Sequence, residues 1–336
     1  MKADPAKTHE LQKWKHNRPF ISCRFDPEGR FLFAGAQDND VQRIEIASGK
    51  RAALAAHDSW VRAIAFSPDG KTTYTGGFDG RLVWWVTEAE SPKPIRKVEA
   101  HAGWLRAVAV SRDGKLLATC GNDHVVKLWN AADGSLVREF KGHARHVYNV
   151  VFHPAGDRLV SFDLMGVIRE WSAADGKQLR EIKAPDLHKY DTTFRADIGG
   201  ARSMAFSEDG KLFAAGGITK VTNAFAGIGN PAVVVFDWIK GEKVQLHQPK
   251  ANLRGVAWGI AFHSAGFLIC TAGGGSGGFL YFYKHDKPNE FHQVKLPNQG
   301  RDLSLHQDGI LLAIPHYDGN LRLYAMREKA KQPPKK

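Results

Sequence analysis

A turn that closes on glycine recurs seven times along this chain, each time between two short apolar runs, and a period of that kind allows few architectures. The turns read FDPEG, FSPDG, VSRDG, FHPAG, FSEDG, FHSAG and LHQDG, ending on Gly29, Gly70, Gly114, Gly156, Gly210, Gly266 and Gly309. Successive glycines are 41, 44, 42, 54, 56 and 43 residues apart. Four intervals fit one supersecondary unit of about forty residues, and two carry insertions.

Each unit can be built from residue physics. In the second, VRAIAF (Val61 to Phe66) is a short apolar strand, SPDG a turn with proline at its first corner, and TTYTGG a second strand. Phe78, Asp79 and Gly80 make a tight hairpin, RLVWW is a third strand, and the variable stretch up to His101 supplies a fourth. No segment keeps helical periodicity over three turns, and turn signals every 8 to 12 residues or so argue for an all-β chain. One four-stranded sheet of this size cannot bury both faces. Seven stacked radially around an axis can, leaving only short edges, so the expected fold class is an all-β, seven-bladed β-propeller.

From about residue 8 to 326 the chain resembles the WD40 β-propeller family. That family joins a histidine before the first strand, a Ser or Thr on the second, an Asp in the following turn and a Trp on the third into a hydrogen-bonded set. The resemblance assigns these roles to His57, Thr75, Asp79 and Trp85 in one blade and to His101, Thr119, Asp123 and Trp129 in the next. The fourth blade keeps His143, Ser161 and Trp171 but has Met165 where the Asp is due, and the next two have Asn230 and Gly277 there. None of the nine tryptophans is followed by Asp, and only Gly142-His143 supplies a Gly-His pair, so the resemblance rests on period and turns. The chain ends soon after LRLYAM, a third strand, which leaves the seventh blade one strand short. THELQKW (Thr8 to Trp14) resembles the family's N-terminal strand, which pairs with the last blade and closes the ring, removing two exposed edges. The expected organisation is one propeller over 8–326, a disordered extension over 1–7 and a basic disordered tail over 327–336.

Composition fits a soluble globular chain, 43% hydrophobic and 24% charged, with no apolar stretch near the roughly 20 residues that span a bilayer. The start, MKADPAKTHELQKW, lacks the apolar segment of a signal peptide, so the expected compartment is the cytoplasm. Cys23, Cys120 and Cys270 fall in separate strands and read as buried reduced thiols. The net charge of +12 is concentrated at the ends: the first 18 residues carry +3 and the last ten +4, leaving +5 for the body. Lysine-rich ends are usually solvated, yet they would strengthen contact with a polyanion.

A sharper signal emerges when the first strands are aligned on their last apolar residue. Four places earlier stand Ile21, Arg62, Arg106, Tyr148, Arg202, Trp258 and Arg301. In a propeller this position lies on the rim of the central channel, and in similar WD40 proteins it is a favoured contact on the top face. Two residues earlier come Trp60, Trp104 and His146; just before the third-strand turns come Gln37, Phe78, Asn122 and Tyr317. Arginine and aromatic side chains dominate binding hot spots because they bury much area and, for arginine, offer a planar fork to carboxylate or phosphate. The competing reading packs Trp60 and Trp104 between blades and pairs the arginines with acids such as Asp58 or Asp302. Two insertions, 183–200 and 218–232, together with the glycine-rich 273–278, are expected to wall the same face beside Arg202 and Trp258.

Gly273 to Gly278 matches GxGxxG and Gly227 to Ala232 matches GxGxxA, but each leads into a strand, not a helix N-terminus, so no dinucleotide site is expected. His143 and His146 form an HxxH without a third ligand nearby. No catalytic residue, metal or cofactor is expected. Three readings remain. The first is a non-enzymatic scaffold, a monomeric propeller within a larger assembly, whose top face binds an acidic or phosphorylated protein segment. The second is a nucleic-acid-associated protein using its basic termini. The third is a propeller enzyme with a channel metal. No membrane partner is expected.

Overall fold

The computed structural model describes residues 2–223, 228–275 and 277–329. Seven four-stranded antiparallel sheets follow one another around a ring, and a separate two-stranded hairpin is added between the fourth and fifth. The second blade, for example, runs Val61–Phe66, Thr72–Gly77, Arg81–Val86 and Pro94–Glu99 from the axis outwards. All seven turn glycines adopt φ between +69° and +90°, a left-handed conformation that a side chain strains, which is why the residue recurs. The described helices are two 3-10 turns, Pro5–Lys7 and Pro185–Leu187, and none is long and apolar enough to cross a membrane.

The core lies between blades. Phe33, Val41 and Leu54 of the first blade meet Ile64, Val83 and Trp85 of the second, and Cys120, Leu128 and Phe140 of the third meet Val150, Leu159 and Trp171 of the fourth. All three cysteines are free and buried, and burial pushes their thiols up. The ring closes through Thr8–Lys15, which pairs antiparallel with Asn320–Met326 in a register from Thr8 opposite Met326 to Lys15 opposite Asn320. Trp14 seals the joint, packed with Leu321 and Leu323 of the last blade and Phe20 of the first.

Residues 2–7, expected to be disordered, do not trail away. Asp4 caps the Pro5–Lys7 turn, its N–H donates to the Met326 carbonyl at 2.8 Å, and Lys7 pairs with Glu328 at 2.8 Å. Of the expected tail, residues 330–336 lie outside the described residues.

The hydrogen-bonded sets hold the second to fourth blades. His57 Nε2 and Trp85 Nε1 both meet Thr75 Oγ1 at 2.9 Å while His57 Nδ1 faces Asp79 at 3.1 Å; His101, Thr119, Asp123 and Trp129 repeat this at 2.8 Å. Gly77 makes room for the pair: a Cβ there would lie 2.5 Å from both Asp79 and His57. The fourth blade corrects the sequence reading. Its carboxylate is not missing but comes from Asp163, two residues ahead of Met165, at the end of the second strand; it meets His143 Nδ1 at 2.9 Å, while Ser161 joins His143 and Trp171. In the fifth blade Asn230 leaves that role and donates to Asn252 at 2.7 Å.

Candidate functional site: the basic and aromatic mouth of the channel

The inner strands share a defect that builds the site. In the second blade the pairing passes from Val61–Gly77 to Ala63–Gly76, so Arg62 is an extra, unpaired residue. The same bulge leaves out Ile21, Arg106, Tyr148 and Trp258 in the first, third, fourth and sixth blades. A bulge re-aims the side chain it carries, here to the channel mouth. Arg202 and Arg301 stand just ahead of the short inner strands of the fifth and seventh blades, held by N–H bonds to the Gly216 and Pro315 carbonyls at 2.7 and 2.8 Å. All seven rim residues line one cavity of about 230 Å³, joined by Gln37, Trp60, Phe78 and Trp104.

The remaining candidates stand behind this lining. Asn122 accepts from Arg106 Nε at 2.5 Å, and the Tyr317 ring lies 5.0 Å from the Arg301 guanidinium. His146 turns away to the His124 ring, 5.3 Å off. Trp60 and Trp104 are not buried between blades: they are 41% and 44% exposed and flank Phe78, which stacks on Trp104 of the neighbouring blade at 4.2 Å and 3°.

Nor do the arginines find the acids proposed for them. Asp58 is taken by Arg81, and Asp302 by Arg24 at 2.7 Å. Among the described residues no carboxylate forms an ion pair with Arg62, Arg106, Arg202 or Arg301. Aromatic faces stand in for anions. Tyr148 lies 3.9 Å from the Arg106 guanidinium and 4.6 Å from that of Arg202; Trp258 is 4.3 Å from Arg301 and 5.9 Å from both Arg62 and Arg202. Each such contact is worth about 0.5–2 kcal/mol, less than a desolvated carboxylate partner would give. Burial, with repulsion from Arg202, Arg301 and Arg24 working against the attraction of Asp302, brings Arg62 down to about 10. Burial and the Arg202 charge also lower Arg106 and Arg301. Burial alone would raise the Tyr148 phenol, but the Arg202 and Arg106 charges outweigh it and hold it below its ordinary value.

Arg62 is also the floor of the mouth. It donates to the Ile21 carbonyl at 3.3 Å and, across the axis, to the Arg202 carbonyl at 3.2 Å, dividing the mouth from a channel cavity of about 380 Å³ that contains Arg24 and Asp302. The insertions stand beside it. Residues 183–200 form the Pro185–Leu187 turn and the hairpin His188–Asp191 with Ala196–Gly199, pinned by Asp197 to His188 and Arg145 at 2.9 and 3.0 Å. This hairpin, Tyr148 and Arg202 line a recess of about 320 Å³. A second recess, about 370 Å³, is lined by Ile218, Gly273 to Gly275, Arg254 and Gln299 along with Arg202, Trp258 and Arg301. Residues 224–227 and Ser276, inside the expected wall, lie outside the described residues. Arg254 escaped the alignment because the inner strand of its blade, Val256–His263, is longer than the others, so Arg254 sits ahead of every aligned position. No group of three His, Cys, Asp or Glu side chains placed to hold a metal occurs among the described residues.

The seven-bladed β-propeller is the class of fold that these elements define, and comparison finds a family model within it. The WD domain, G-beta repeat model matches residues 49–85, 92–130 and 134–172. Each match takes the outer strand of one blade and three strands of the next, so the repeat interlocks neighbouring blades. Over these three repeats, about a third of its length, the chain matches the WD40-repeat family model. It is 26% identical over 162 residues to the chromatin assembly factor 1 subunit FAS2 homolog of Oryza sativa subsp. japonica, covering 44% of this chain and 32% of that protein. It is 26% identical over 148 residues to transcription initiation factor TFIID subunit 5 of Caenorhabditis elegans, covering 44% and 22%. It is 32% identical over 79 residues to WD40 repeat protein poxJ of Penicillium oxalicum, covering 22% and 23%. The matches span about a third or less of these relatives.

Proposed function

We propose that this chain is a non-catalytic interaction scaffold whose channel mouth binds an acidic or phosphorylated segment of a protein partner. The observation that carries the reading is the set of four guanidiniums around one cavity, none of them paired with a carboxylate among the described residues. Like charges crowded at a low-dielectric opening repel, and an anionic ligand relieves them. The exposed Trp60 and Trp104, with Phe78 between them, add the apolar area that a hot spot needs. Relatives named for chromatin assembly and transcription initiation agree with a role inside multiprotein assemblies.

The test is a paired affinity capture from native lysate with wild type and a variant carrying Arg62, Arg106, Arg202 and Arg301 all changed to Ala, both shown to melt alike, read by mass spectrometry. A partner held by wild type, released by salt and lost by the variant supports the reading. An unchanged partner set refutes it. A chain truncated after residue 326 serves as the control: loss of binding there, with nucleic acid in the eluate, would move the function to the basic C-terminus.

A further inference from the structure

The top face is chemically graded, not uniformly basic. Over the second and third blades lies the aromatic platform of Trp60, Phe78 and Trp104, with the Arg106 guanidinium 5.2 Å from the Trp104 ring at its inner edge. At the centre is the mouth, where four guanidiniums surround about 230 Å³. Across the axis, over the fifth to seventh blades, the second recess brings Arg254 to the arginines it shares with the mouth, Arg202 and Arg301. Arg254 is exposed, and no carboxylate pairs with it among the described residues. The recess wall of Gly273, Gly274 and Gly275 has no side chains, and a Cβ on Gly275 would meet nothing within 4 Å, so a ligand backbone can approach closely.

Resting on the reading above, we propose that the bound segment carries three groups in order: an aromatic or large aliphatic side chain on the Trp60–Phe78–Trp104 platform, a phosphoryl group in the mouth, and a second acidic side chain in the Arg254 recess. Charge concentration selects the phosphoryl. Four cations around one small opening are better met by a compact dianion with three acceptor oxygens than by a single carboxylate, and Arg takes phosphate through paired N–H donors. The same concentration argues against single-stranded nucleic acid, which needs a basic track along its backbone with aromatic platforms repeated at successive bases. The gradient also fixes direction, since reversing the segment would place the acid on the aromatic platform and the apolar side chain in the basic recess.

The experiment uses the full chain and an array of synthetic nonapeptides with a central phosphoserine, glutamate or serine, in which Phe or Glu is scanned singly through the flanking positions; hits are measured by fluorescence anisotropy. Phosphoserine peptides should bind at least about tenfold more tightly than glutamate ones, equivalent to about 1.4 kcal/mol. Phe should help on one side of the phosphoserine only and Glu on the other only. Arg254→Gln should erase the gain from the flanking Glu, several-fold, and leave the gain from Phe; the Phe78→Ala/Trp104→Ala pair should do the reverse. Equal binding of the phosphoserine and glutamate series, no sidedness, or an undiminished Glu gain in Arg254→Gln overturns this inference while leaving an acidic ligand standing. Absence of binding to every series, or binding unaffected by Arg202→Met, overturns the acidic-ligand reading itself. Displacement of the phosphopeptides by a single-stranded oligonucleotide overturns both.

Discussion

The second to fourth blades and the fifth to seventh solve the same packing problem differently. The first group is stapled by buried polar sets in which one hydroxyl, Thr75, Thr119 or Ser161, joins a histidine and a tryptophan. The second group relies on aromatic packing. Phe206 and Phe213 each lie 5.1 Å from Trp238, and Tyr281, Phe282 and Tyr283 run consecutively along one buried strand. Polar sets demand fixed spacing, and the family model matches where they occur. Apolar packing needs only shape and volume, so the second group could accept the two insertions and the glycine-rich segment that wall the mouth. One half holds its form and the other carries variation, while the mouth draws on both.

Four experiments would break or sharpen that contrast. The largest effect is expected from deleting residues 1–15, which strips Trp14 from its joint and leaves both the last blade and the ring open. Calorimetry should show a lower and broader melt, and a deletion variant melting like the parent would show that closure does not matter. Next, Thr75→Val leaves His57 Nε2 and the Trp85 Nε1 donor without their partner in the core and should cost about 2–3 kcal/mol in urea unfolding. Thr271→Val in the sixth blade, which removes only a donor to the Gly259 and Asp302 carbonyls, should cost about 1 kcal/mol; equal losses would erase the distinction between the halves. In the fourth blade Asp163→Asn should cost about 1–3 kcal/mol, whereas Met165→Asp should change stability by no more than about 0.5 kcal/mol, because the carboxylate role is already filled.

The fourth test is the pH dependence. Burial brings His247 and His316 from 6.5 to about 4, so between those values the unfolded chain takes up protons that the folded chain refuses. Stability from this source is complete above pH 6.5 and falls as the pH drops towards 4, in the fifth to seventh blades. Asp79 and Asp123 behave otherwise. Burial would raise them, but their hydrogen bonds to His57 and His101 and to backbone N–H groups prevail and hold them below 3.8, so their contribution persists until the pH falls below the ordinary carboxylate range. Hydrogen exchange between pH 7 and 4 should loosen the fifth to seventh blades first; uniform loosening would count against the contrast.

Much of this was legible in the chain. The turn glycines are obligatory because the backbone there is left-handed, the strands alternate because one sheet face must meet the next blade, and THELQKW closes the ring because the last blade lacks a strand. The aligned offset also picked out the seven rim residues. What it did not reveal was why they point inwards, since a bulge is a property of two paired strands and not of either alone. Asp163 carries no signal in the sequence because a carboxylate at the strand end reaches the same histidine as one in the turn, and only pairing geometry shows the two positions to be equivalent.

The sequence by itself determined the local frame: seven units, their turns and the residue types brought to the rim, all set by interactions within a few residues or by the need to bury apolar faces. Tertiary structure decided which charges find a carboxylate among the described residues. Arg24 captures Asp302 from the far end of the chain, Arg81 captures Asp58 within its own blade, and the four rim arginines are left facing Tyr148, Trp258 and Tyr317. Whether a guanidinium is neutralised depends on distances across the closed ring, which no spacing along the chain encodes.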